Sequence, residues 1–230
     1  LTSVSLPVAT SIGAYAFSSC TSLTSVSLPA ATSIANNAFE NCGLKSVSLP
    51  AATSIGFNAF YYCTSLTSVS LPVATSIGEY AFESCSLLTS VSLPAATSIG
   101  NYAFDGCTSL TSVSLPAATS IGDYAFYGCT SLTSVYFGTA KPTEGVDMFY
   151  DVPPNQVTIY VLESIAWSGV TTWGGMPVVQ VEDFGLIDTE IFAKSVKIQD
   201  SLIIKDTADG NYYRIQITNG ILNTELVSGV

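Results

Sequence analysis

The fold class the sequence predicts is an α/β-type repeat solenoid, with short strands on one face of each coil, short helical or 3₁₀ turns on the other, and a small C-terminal antiparallel β meander. Three observations predict it: a fixed period, an opening with LxxLxL spacing, and a recurring second half of the form ATSIGxYAFxxC.

The unit LTSVSLPVATSIGAYAFSSCTS begins at Leu1 and restarts at Leu23, Leu44, Leu66, Leu88 and Leu110, with a seventh start at Leu132; the spacings are 22, 21, 22, 22, 22 and 22 residues. Units of this length cannot bury an apolar side alone and become stable when stacked on their neighbours. In the opening segment, Leu66, Val69 and Leu71 are apolar while Thr67, Ser68 and Ser70 are hydroxylic. This pattern suits a half-buried strand. A proline follows in each of the six units, from Pro7 to Pro116, and ends the strand because it has no N–H for a ladder.

The second half places Ile77, Ala81 and Phe82 at intervals of four and one, which predicts a short helical or 3₁₀ turn over the core. The glycine after Ile (Gly13, Gly56, Gly78, Gly100, Gly122) is expected at a tight corner; Ala35 takes its place in the second unit, so a positive φ is not required there. The residue missing between Cys42 and Leu44 falls in a connection, where deletions are tolerated.

After Leu132 the repeat degrades. A strand is expected at Ser134 to Phe137, with KPTEG in place of the Pro-Ala-Ala corner and MFYDVPP in place of AFxxC. Then QVTIYV reads as a strand, ESIAW as a short helix and MPVVQV as a last strand. We expect six repeats over 1–132, divergent final repeats and a cap over 133–182, and a β-hairpin module over 183–230. Trp167, Trp173, Phe149 and Tyr150 are read as a plug for the open core, with a carbohydrate platform as the alternative. In the last segment SVKI, SLIIK, YYRIQI and ILNTEL alternate and are separated by turn signals, which predicts about four antiparallel strands. DTADGN lacks the ligand spacing of a calcium loop and reads as a hairpin turn.

Composition narrows the function. The chain has 230 residues, a net charge of −11, 10% charged residues and no histidine. Residues 1–132 hold Glu40, Glu79, Glu83, Asp105, Asp123 and one base, Lys45. Six scattered bases leave no footprint for a phosphate backbone, so nucleic acid is not an expected partner. No apolar run reaches the ~20 residues of a membrane span. The unpaired edge of a first coil at Leu1 leads us to expect sequence upstream of it. Cys20, Cys42, Cys63, Cys85, Cys107 and Cys129 occupy one repeat position and are expected as a buried column of free thiols; disulfides or a metal are the alternatives, although no histidine or CxxC pair is present to complete a zinc site. No metal, cofactor or catalytic residue is expected, because nothing supplies a base near neutral pH.

The motif SLPAATSIGxYAFxxCTSLTSV resembles the BspA-like (Treponema-type) leucine-rich repeats of bacterial surface and secreted proteins, over about residues 1–140. The resemblance implies a right-handed, curved, non-enzymatic leucine-rich-repeat coil, extracellular or at the cell surface, used in several members for adhesion to a protein or glycan of a host or neighbouring cell. The C-terminal ~35 residues resemble, more weakly, β-modules of phage tail fibres. This gives the alternative of a virion or filament component that forms homo-oligomers through 183–230. Comparison among the repeats marks the candidate binding residues. Phe57, Tyr61 and Tyr62 make the third unit an aromatic outlier, expected as one patch on its outer side. Ser46, Ser48, Ser68 and Ser70 belong to hydroxyl rows on the strand face, the surface that solenoids commonly offer to ligands.

Overall fold

In the computed structural model, residues 1–153, 156–162 and 164–181 are described in full, and 202–205, 212–218 and 221–227 as backbone. Each repeat gives two strands: β1 Ser3–Ser5 and β2 Ser11–Ile12, β3 Ser25–Ser27 and β4 Ser33–Ile34, β5 Ser46–Ser48 and β6 Ser54–Ile55. Next come β7 Ser68–Ser70 and β8 Ser76–Ile77, β9 Ser90–Ser92 and β10 Ser98–Ile99, β11 Ser112–Leu115 and β12 Ser120–Ile121. β13 Ser134–Phe137, β14 Thr158–Leu162, a 3₁₀ turn Ile165–Trp167, β15 Thr172–Trp173 and β16 Met176–Val181 follow. The chain is a β-solenoid in which equivalent residues of successive coils pair in parallel, Val47 with Val69 and Val113 with Val135.

The expected helical turns on the back do not build a regular helix among the described residues of the repeats. The Ser-Ile pairs instead form a six-stranded parallel ladder, β2 to β12. Beyond it the chain turns through two residues per coil in the left-handed region, such as Tyr80 (φ 55) and Ser84 (φ 58). Alternate N–H groups of this stretch donate to the next coil: Tyr80 N to Asn101 O (3.0 Å), Phe82 N to Ala103 O (2.8 Å) and Ser84 N to Asp105 O (2.7 Å). A helix would satisfy these groups within the coil and leave neighbouring coils without hydrogen bonds on this side; left-handed kinks aim them along the stack.

Close stacking explains the glycine after Ile. A Cβ on Gly78 would lie 2.6 Å from the carbonyl carbon of Gly56, so the side chain is excluded by the backbone of the preceding coil. The one-residue deletion also leaves a mark. A Cβ on Gly43 would lie 2.2 Å from Thr21 O, and β3 and β5 on either side of it do not pair, so the front sheet splits into β1–β3 and an eight-stranded part. The back ladder passes the same point unbroken.

Inside, the rings of Phe17, Phe39, Phe60, Phe82, Phe104, Phe126 and Phe149 stack with centroids 5.2–5.6 Å apart. Met148 and Phe149 thus take the Ala-Phe place in the irregular coil. Trp167 and Trp173 are 0% and 1% exposed and pack against Phe137 and Phe149. The Trp167 Nε1 donates to Gly138 O at 3.2 Å. Tyr150 is not in this plug: it is exposed and stacks on Tyr127 at 5.5 Å. At the other end Leu1 and Val8 are 71% and 85% exposed, and Phe17 and Cys20 are only partly buried.

β17 Leu202–Lys205, β18 Tyr212–Thr218 and β19 Ile221–Val227 form an antiparallel meander in which Arg214 is opposite Glu225. The expected strand SVKI lies outside the described residues.

Candidate functional site

The front sheet owes its outer surface to strand alternation, which turns Val inward and Ser outward. Ser46, Ser48, Ser68 and Ser70 are exposed, with Ser46 beside Ser68 and Ser48 beside Ser70. The Ser48 row continues through Ser70, Ser92 and Ser114 into Tyr136 and Tyr160, whose rings stack at 5.0 Å. Sequence reasoning treated this face as hydroxylic throughout and missed the two tyrosines. The signal was SVYF standing where the earlier repeats have SVSL. The neighbouring threonines bind the stack itself: Thr67, Thr89, Thr111 and Thr133 each donate a hydroxyl to a carbonyl one coil earlier, at 3.0–3.5 Å.

On the turn flank, Phe57 and Tyr62 are 40% and 50% exposed and Tyr61 is half-buried. Tyr61 and Tyr62 meet with centroids 6.0 Å apart, whereas Phe57 leans across to Tyr80 of the next coil at 5.7 Å, edge to face. The trio is therefore a pair plus one residue that opens a second feature. Tyr80, Tyr102 and Tyr124 stack in a column at 4.9 and 5.0 Å. The column follows from the sequence position immediately before Ala-Phe, which is Tyr or Asn in all six repeats.

Carboxylates adjoin this column. Glu83 is pushed up to about 7 by partial burial first and by Asp105 second, and Asp105 is itself raised by burial. Tyr61 is raised by the charge of Glu83 first, then by burial and by Glu40. Tyr61 thus lies within the fields of Glu40, Glu83 and Asp105, and Glu83 within that of Asp105. Asn36 and Asn101 serve the stack: their Oδ1 atoms accept from Phe57 N at 3.0 Å and Asp123 N at 2.9 Å.

The cysteines are free, and those from Cys42 to Cys129 are buried. Each of these five Sγ atoms donates to the carbonyl of a phenylalanine in the preceding coil, at 3.0–3.3 Å. Burial pushes the Cys42 and Cys63 thiols up to about 11 and about 12, and Cys85 and Cys107 well above the ordinary range. At neutral pH they are protonated, in the form that neither attacks nor ligates. Among the described residues no three His, Cys, Asp or Glu side chains are grouped to hold a metal ion, and no helix is long and apolar enough to cross a membrane.

No curated protein matches the sequence. Among solved structures, the chain is similar to a leucine-rich repeat protein of T. pallidum, at 25% identity over 76% of this chain and 78% of that one, with a TM-score of 0.45. It is also similar to a leucine-rich cell surface protein of Faecalibacterium prausnitzii A2-165, at 23% identity and a TM-score of 0.33, covering 80% of this chain and 60% of that one. The family model described as BspA type leucine rich repeat region matches in six copies, over residues 1–95 and 53–166. With its stacked LxxLxL strands, its Ala-Phe turns and most of its length inside that match, the chain belongs to the BspA-type leucine-rich repeat family.

Proposed function

We propose that the chain is a non-enzymatic binding and adhesion module of a bacterial cell-surface or secreted protein, contacting a protein or glycan on a host or neighbouring cell. The observation that carries this reading is the division of labour within the repeat. Leu, Ile, Ala, Phe and Cys are committed to internal columns, while the outward positions vary from coil to coil on the turn flank and form hydroxyl rows on the strand face. Repeat solenoids use such extended faces for recognition. In this reading 1–132 presents the faces and 133–182 closes the core; a virion or filament component that forms homo-oligomers through 183–230 is the alternative.

The test is adhesion of purified protein to cells and to a glycan array. Replacing Phe57, Tyr61 and Tyr62 by Ser is expected to weaken protein-mediated adhesion. Bulky substitutions at Ser68 and Ser70 are expected to abolish glycan signals. Adhesion indistinguishable from an inert protein would remove the proposal, and light scattering with and without 183–230 tests self-association.

A further inference from the structure

The turn flank of coils four to seven differs from that of coils two and three in both shape and charge. Tyr80, Tyr102 and Tyr124 occupy left-handed backbone positions at φ 54–55. In coils two and three the same position holds Asn37 and Asn58, at φ 58 and 55. Asparagine suits this region far better than a bulky aromatic, so the backbone does not call for tyrosine here.

What the tyrosines add is a built surface. Their ring faces cover one another, and the ends of the column are closed by Phe57 and by Tyr127, each edge-on. The column therefore offers mainly its ring edges and phenol oxygens. The hydroxyls of Tyr80 and Tyr102 have no hydrogen-bond partner among the described residues, and that of Tyr124 reaches Asp147 at 3.5 Å. Burial first, and then the charges of Glu79, Glu83 and Asp105, raise the Tyr80 phenol; burial first, and then Asp147 and Asp123, raise that of Tyr124. Lys141, the sole base between residues 46 and 193, is engaged with Glu144 at 3.9 Å.

We infer that this flank, the Tyr80–Tyr102–Tyr124 column with Glu79, Glu83, Asp105 and Asp147 around it, is a docking surface for a lysine- or arginine-bearing segment of a partner protein. The inference rests on the binding-module reading and names the chemistry of one partner. Phenol oxygens and carboxylates are all acceptors, and a row of acceptors about one coil apart is complementary to ammonium or guanidinium groups carried on an extended chain. Charge of one sign along the row steers such a partner and rejects an acidic one.

The experiment holds net charge constant. The triple variant Tyr80→Asn, Tyr102→Asn, Tyr124→Asn uses the residue that coils two and three already carry, so the fold is retained, which circular dichroism checks. Binding of a fluorescent decapeptide of alternating lysine and serine is measured by anisotropy against its glutamate-serine counterpart. Wild type is expected to bind the lysine peptide at least tenfold more tightly than the variant, and the glutamate peptide not at all. Glu83→Gln with Asp105→Asn is expected to weaken binding a further severalfold. Equal lysine-peptide affinity of wild type and the triple variant would mean attraction by bulk negative charge and would overturn the inference. The same proteins are assayed for cell adhesion. Adhesion equal in wild type and variant, without selective peptide binding, sinks this inference alone; no adhesion by wild type sinks the broader reading.

Discussion

The first repeat of this sequence and the irregular coils that follow the sixth are built on the same internal columns and cover them differently. At the C-terminal end the phenylalanine stack passes into Phe149 and is closed by Trp167 and Trp173, both buried, one of them tied by its indole N–H to Gly138 O. In the first repeat Phe17 is only partly buried, and Leu1, Leu6 and Val8 face solvent. A residue's contribution thus depends on which coils flank it more than on its identity, as expected where each repeat contacts only its neighbours.

This contrast can be broken most sharply at the plug. Trp167→Ala should cost about 3–5 kcal/mol in a denaturant titration, because a filled core space becomes a cavity. Phe82→Ala should cost a similar ~3–5 kcal/mol and Phe17→Ala clearly less; equal losses at Phe82 and Phe17 would show that the N-terminal ring is as well covered as the central one. The next effect comes from one substitution made twice. Gly78→Ala forces a Cβ against the backbone of Gly56 and should cost about 1–3 kcal/mol, while Gly13→Ala, with nothing within 4 Å, should be close to neutral.

A smaller effect concerns the middle coils. Glu83 titrates at about 7 in the folded chain, against an ordinary 4.5, with Asp105, Tyr61, Tyr80 and Cys107 facing it. Between those values the folded state holds more protons than the unfolded one, so stability falls as pH rises from about 4.5 to 7 and levels off above. Glu83→Gln should flatten that slope and raise stability at pH 8 by about 1 kcal/mol or less, since the group is only partly buried and solvent screens it. The gentlest test perturbs nothing. A thiol reagent added to native protein should label Cys20 and spare the five buried cysteines, and all six should react after unfolding.

Much of the stack was legible in the sequence because each internal column is one repeat position written six times. The parallel strands, the proline stops, the close-packed glycines and the seat of Phe149 in the irregular coil all follow from that. The back of each coil was read as a helical or 3₁₀ turn; every second N–H there does make the i→i−3 bond of such a turn, as Glu83 N to Tyr80 O at 3.2 Å, while the alternate ones go to the next coil. Ile77, Ala81 and Phe82 have helical spacing, yet that spacing also fits a chain kinked at Tyr80 and Ser84, and only hydrogen bonds to the next coil decide between the two. Gly106 and Gly128, which stand at the second kink in coils five and six with φ near 65, were the available sign. The aromatic patch was legible only as composition: the sequence grouped Phe57 with Tyr61 and Tyr62, and the fold hands Phe57 to Tyr80 instead.

The hydrogen bonds between coils run along the long axis of the molecule, and this has a mechanical outcome. Tension applied through the two termini loads each inter-coil seam in opening rather than in shear, so bonds yield a few at a time. Coils should peel singly, each releasing roughly 75 Å of chain for its 22 residues. Under load, such a sequence of small steps would lengthen the chain without tearing it all at once.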